Sequence, residues 1–311
     1  MLTLCSPDST VVSVLVASVA LAIVAFAFAQ ARVRRTRKTP GAKPSRPDLT
    51  PTLRGVTTDL GAYEELCVAP SSAPTMYVVF VPGNPGLPAY YRTYADMICE
   101  RLGAHVTLLG LAGHVSLASS ERLRGTRDEG RVFSTAQQVS HVAARVAPIA
   151  SRAESDGLPT VLIGHSIGAY IGLEAVLQAF RSPSACPRVL LLMPFLEVPA
   201  SLEARPLSFG CKELAIKHLG WLLTEPAGWL ASVLSCLPKD ARRSLLGGSL
   251  EKMSPAYQDL TLEQLLHRHQ LRNILYLVRT EIATLAHRYD FEGARPHPNA
   301  DPDPDPPTLT P

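Results

Sequence analysis

The run Gly164-His165-Ser166-Ile167-Gly168 constrains this chain more than any other stretch. Before it lies Thr160-Val161-Leu162-Ile163, a short apolar run that reads as a buried strand. After it, Ile167 to Phe180 reads as a helix. The pattern G-x-S-x-G between a strand and a helix marks a sharp, strained turn that lifts a serine hydroxyl clear of a sheet. Gly164 and Gly168 are then structural, because neighbouring backbone passes where a Cβ would stand. Ser166 is the candidate nucleophile, and the Ile167 amide at the helix N-terminus is a candidate oxyanion donor. The flanking strand and helix set the pattern apart from a chance match in a turn.

The surroundings agree. Tyr77 to Val81 is apolar and rich in β-branched residues, and it ends at Pro82-Gly83-Asn84-Pro85-Gly86, a cluster of turn residues. A second oxyanion donor belongs in such a loop, and Asn84 is the candidate, because Pro85 has no N–H. No Lys-Ser or Lys-Thr follows, which argues against a phosphate-binding loop. Tyr90 to Leu102 and Val132 to Ala150 have helical spacing, while His105 to Leu109 and Arg188 to Met193 read as strands. Strands alternating with helices predict a mostly parallel sheet with helices on both faces, and Thr52 to Val68 is expected to add antiparallel edge strands. With the serine turn, the expected architecture is the α/β-hydrolase fold. A helical cap is expected over residues 199–260, where Leu214 to Leu237 is apolar and is broken by Pro226 and Gly228. It can pack on the sheet, lay Trp221 and Trp229 against a phospholipid surface with Lys239, Arg242 and Arg243 at the headgroups, or do both.

Residues 1–10 form a short N-terminal tail, and Val11 to Ala31 carries no charge. As a helix rising about 1.5 Å per residue, that run would cross about 30 Å, a bilayer's hydrocarbon thickness. Arg32, Arg34, Arg35, Arg37 and Lys38 follow, so a transmembrane anchor would leave the rest of the chain in the cytosol. A cleaved signal peptide is the competing reading; it lacks a basic n-region, and its apolar run is too long. Residues 32–51, with Pro40, Pro44, Pro47 and Pro51, read as an extended basic linker. The folded domain is expected over 52–290, followed by a disordered Pro/Asp tail over 291–311. A net charge of +3, much of it in one cluster, does not indicate nucleic acid. The 6 cysteines are scattered without metal-ligand spacing and read as free thiols. No metal or other cofactor is implied.

These residues resemble the lipid droplet-associated serine hydrolase family. The likeness is carried by Val79 to Gly86 with Tyr90-Tyr91, by Ala112-Gly113-His114, by Leu162 to Tyr170 and by Leu191-Leu192-Met193-Pro194. Weaker support comes from Gln137-Gln138-Val139 with His141, from Trp221 to Leu246 and from Ser254-Pro255. The resemblance implies Ser166 as nucleophile, with the loop around Asn84 and Ile167 as the oxyanion hole. It also implies a lipid ester as substrate and a place at the endoplasmic reticulum or a lipid droplet.

The pattern breaks toward the C-terminus. Such enzymes order the triad as Ser, acid, His. Here Leu260 to Tyr289 is helical in pattern, and the Pro-rich Asp301 to Pro307 cannot make a strand. The last two strands, the usual acid and the usual His are therefore expected to be missing. Three explanations stand: a truncated chain, a catalytically inactive relative that binds a membrane or droplet, or substitute residues. The first is preferred, because the loss would leave Arg188 to Met193 as an exposed edge. As substitutes, Glu197 is the candidate acid and His287 the candidate base, with His297 less well placed. His267 and His269 are expected to face solvent, His165 to pack behind the serine and His114 to be structural.

Overall fold

Two apolar clusters, one on each side of a single sheet, form most of the core among the described residues. The structure is a computed structural model that describes residues 52–180, 186–197, 227–250, 253–285 and 289. The strands are β1 (Thr52–Thr58), β2 (Gly61–Val68), β3 (Met76–Val81), β4 (Ala104–Leu109), β5 (Thr160–His165) and β6 (Arg188–Leu192). They lie in the order β1-β2-β4-β3-β5-β6. β1 and β2 pair antiparallel, β2 joins β4 antiparallel, and β3, β4, β5 and β6 run parallel. The weak pattern over Thr52 to Val68 thus becomes a hairpin, with Gly61 supplying the positive φ of 114° at its turn.

The parallel strands alternate their side chains between the layers. Val79, Val81, Leu109 and Leu162 join Val142, Val146, Ile171 and Ala175 on one face. Val78, Phe80, Val106, Leu108 and Ile163 join Ala95 and Cys99 on the other. The first face is covered by α3 (Thr135–Ser155) and α4 (Ile167–Ala179), and the second by α1 (Arg92–Leu102); α2 (Leu117–Arg122) follows β4. Strands buried on both faces read as continuous apolar runs, which is why β3 and β5 were visible in the sequence. α3 begins later than the spacing predicts and runs through Pro148 to Ser155. Its start is set by a capping box, in which the Ser134 side chain accepts from Gln137 N while the Gln137 side chain accepts from Ser134 N.

Among the described residues β6 is an edge of the sheet, and Leu190 on it is 47% exposed. No strand follows it among those residues. A helical stretch over 227–235, α5 (Lys239–Leu250), α6 (Pro255–Leu260), a π-helical turn (Thr261–Leu265) and α7 (Arg268–Thr284) come next. The sequence pattern predicted one helical run from Leu260. It is interrupted instead at Leu266 and His267, where the chain turns extended and the His267 side chain caps α7. Lys239 and Arg243 do not stand free for headgroups: both pair with Asp259, and Lys239 also pairs with Glu263. Arg242 donates to the Leu262 carbonyl.

No helix of the described residues is long and apolar enough to cross a membrane. The expected anchor at 11–31, the linker at 32–51, most of the first half of the cap, His287, His297 and the tail at 291–311 lie outside the described residues. Cys99, Cys186 and Cys236 are free thiols, and no metal-holding cluster occurs among the described residues.

Candidate active site

β5 delivers Ser166 at its carboxyl end, and α4 starts at once behind it. Ser166 has φ 54° and ψ −126°, a conformation that costs a residue with a Cβ of order 1–3 kcal/mol. Backbone bonds from β6, from the segment after it and from α4 hold it there. Ser166 N donates to Leu192 O at 3.1 Å, and Ser166 O accepts from Phe195 N at 3.1 Å and Ala169 N at 3.0 Å. The elbow closes only with glycine at its sides. A Cβ on Gly168 would stand 2.3 Å from Pro82 O, and one on Gly164 would stand 2.5 Å from the Ala169 Cα.

The loop after β3 lies directly against this turn: a Cβ on Gly83 would meet the Ser166 Cβ at 2.9 Å. Tyr91, just before α1, ties loop to elbow. Its hydroxyl accepts from Gly83 N at 3.2 Å and lies 2.9 Å from His165 Nδ1. Burial lowers the His165 pKa, so the ring is neutral and Nδ1 can accept the Tyr91 proton. His165 thus packs behind the serine, as expected, and is occupied there.

Asn84 is 5% exposed, and its side chain donates to Ile274 O of α7 at 3.0 Å. Its backbone amide makes no hydrogen bond among the described residues. Ile167 is the first residue of α4, so its amide has no intrahelical acceptor. The structure therefore brings Ser166, the loop amide of Asn84 and the helix amide of Ile167 to the same corner of the sheet.

The acid and base are not brought together in the same way. Glu197 is exposed beyond β6 and makes no hydrogen bond or ion pair among the described residues. The Ser166 hydroxyl has no hydrogen-bond partner there either. Three of the described histidines are engaged elsewhere. His141 Nε2 lies 3.0 Å from Gly110 O, His114 Nδ1 lies 2.7 Å from Pro85 O, and His267 Nε2 lies 3.1 Å from Val115 O. The expectation that His267 and His269 face solvent is corrected. His267 is 3% exposed, and burial pushes both rings down to about 4, because α7 lies with its first turn over the loops after β3 and β4.

Sequence reasoning gave no role to Tyr91 or Gln270. Gln270 Nε2 donates to Pro85 O at 2.8 Å across 185 residues of chain, and no local pattern announces such a contact.

The strand order, the parallel central strands and the strained serine turn at the end of β5 define an α/β-hydrolase fold. The family model for lipid-droplet associated hydrolases matches residues 74–298, and the chain belongs to that family. It is 30% identical over 226 residues to the lipid droplet-associated hydrolase of Gallus gallus, covering 69% of this chain and 64% of that protein. To the protein of the same name from Rattus norvegicus it is 25% identical over 232 residues, covering 70% and 66%. The chain thus spans less than two thirds of the length of these curated relatives. Among solved structures, it is similar to a soluble variant of monoglyceride lipase from Saccharomyces cerevisiae, with 14% identity, TM-score 0.46, and 78% of this chain and 71% of that one covered.

Proposed function

We propose that this chain is a serine hydrolase of lipid esters working at a lipid-droplet or endoplasmic reticulum surface. The segment 11–31 would be its membrane anchor, and the folded domain would face the cytosol. One observation carries the reading: a serine is held in a strained conformation beside a loop amide and a helix amide that make no hydrogen bond among the described residues. Strain of this kind persists where the surrounding backbone over-determines it, and such places cluster at working sites.

In this reading the Ser166 Oγ attacks the ester carbonyl carbon and its proton passes to a base. The carbonyl oxygen becomes an oxyanion between the amides of Asn84 and Ile167. Collapse breaks the C–O bond, the alkoxide takes the proton and leaves as the alcohol, and water then releases the acid from the acyl-enzyme. Glu197 and His287 are retained as candidate acid and base. The reading needs no cofactor. The family name supplies the lipid and the droplet.

A second reading has its own support. Because the Ser166 hydroxyl has no histidine partner among the described residues, the chain could be an inactive relative that binds a lipid surface. A fluorophosphonate probe separates the two. Labelling of the wild type that is lost in Ser166→Ala supports the enzyme; a wild type that stays unlabelled while binding triolein droplets supports the binder.

A further inference from the structure

The loop that carries Asn84 is held from above by α7, and the hold is unusual in its cost. Pro85 has no N–H, so its carbonyl is its only backbone handle. Two side-chain donors meet that one oxygen: His114 Nδ1 at 2.7 Å and Gln270 Nε2 at 2.8 Å. A carbonyl can only accept, so His114 must carry its proton on Nδ1. The ring is fully buried at the position where a Cβ on Gly86 would strike it, and it is neutral, with its pKa pushed down to about 3 by burial.

The opposite ends of these side chains are left over. His114 Nε2, Gln270 Oε1 and Asn84 Oδ1 are all buried without a hydrogen-bond partner among the described residues. Buried polar atoms are satisfied almost everywhere in folded proteins, so three orphans on one loop–helix contact require a reason. Packing alone would be served better by apolar side chains in those places. The arrangement gives direction instead. It places three donors at a loop whose Gly83 abuts Ser166: Gln270 from α7 and His114 from the segment after β4 onto Pro85 O, and Asn84 Nδ2 of the loop onto Ile274 O of α7.

We propose that Gln270 and His114 are positioning residues: they fix the Pro85 carbonyl, and through it the Asn84 amide that receives the oxyanion. This rests on the reading of Ser166 and Asn84 given above. α7 is then a working part of the site and more than a cover for it.

The test uses the full chain with a short-chain p-nitrophenyl ester, together with hydrogen exchange of the amides in 82–87. Gln270→Met keeps the bulk and removes the donor. It should lower kcat roughly 10- to 100-fold with KM within about 2-fold, somewhat less than the loss of an oxyanion donor itself. Exchange over 82–87 should speed up about tenfold while β5 is unchanged. His114→Phe should act in the same direction, and His114→Asn, whose Nδ2 takes the place of Nδ1, should recover most of the loss. Unchanged exchange over 82–87 in both donor-removing variants would overturn the proposal. So would faster exchange with kcat unaltered, or a fall in kcat matched by a rise in KM. If the wild type turns over no ester, the reading of Ser166 fails, and the exchange result alone decides whether these donors hold the loop.

Discussion

The Tyr91 hydroxyl stands 2.9 Å from His165 Nδ1, and it bridges the residue before the serine to the loop that faces the serine, through Gly83 N at 3.2 Å. Burial raises the Tyr91 pKa well above the ordinary range, so the hydroxyl stays protonated and the bridge does not titrate near neutrality. Tyr91→Phe keeps the ring on Phe80, whose centroid is 4.7 Å away, and removes only the bridge. It should cost about 1–2 kcal/mol, since the Gly83 amide loses its acceptor. Urea unfolding checks the stability. Ester turnover should fall at constant pH profile, because no titrating group is lost.

Ser166 sets stability against activity. Glycine adopts its φ of 54° without a Cβ penalty. Ser166→Gly and Ser166→Ala both remove the hydroxyl and should both abolish fluorophosphonate labelling. They should differ in stability, with the glycine variant more stable than the alanine variant by about 1 kcal/mol despite its larger unfolded-state entropy. Equal unfolding midpoints for the two would mean that the turn is not strained.

Buried histidines make the fold sensitive to acid. His141 is 1% exposed and packs edge-on to Tyr63 at 4.5 Å, and burial pushes its pKa from 6.5 down to about 4. The unfolded chain takes up this proton near 6.5 and the folded chain only near 4, so stability is lost as pH falls through that window and not above it. The loss from His141 alone is on the order of 3 kcal/mol. His141→Gln keeps an amide donor for Gly110 O and cannot titrate. Its unfolding free energy should fall less steeply between about pH 6.5 and about pH 4 than that of the wild type. His114, His267 and His269 shift in the same direction, so some slope should remain.

The parts of the site that sequence made legible are those built from local rules. An apolar strand, a glycine on each side of a serine and a helix behind it suffice to place Ser166, and the proline pair around Asn84 places the loop. The start of α3 departs from the apolar period, because the capping box of Ser134 and Gln137 sets it. The burial of His267 and His269 is hidden from the sequence for a different reason. Their neighbours Arg268 and Arg272 suggest a solvated face, and only the docking of α7 onto Gly113 and Val115 buries the rings. The fold brings those loops together across the sheet, and nothing within a helical window records it.

β2 offers the sharpest test of how this sheet tolerates charge. Glu65 lies on it with its side chain 2% exposed, and Arg145 of α3 reaches it at 3.1 Å with a side chain 30% exposed. The same guanidinium sits 5.6 Å from the Tyr63 ring centroid, so its stem and its charge serve different neighbours. Arg145→Met preserves most of the packing and takes one cation away from a carboxylate in the interior, which should cost about 1–3 kcal/mol. Glu65→Gln alone leaves the cation with a route to water and should cost less. The double variant should recover part of the loss from Arg145→Met, because a neutral amide tolerates the interior better than a carboxylate that has lost one of its cations. The double-mutant cycle in urea measures this coupling directly. If the double variant is as unstable as the sum of the singles, the two side chains do not act as a pair, and α3 is held to the sheet by its apolar face alone.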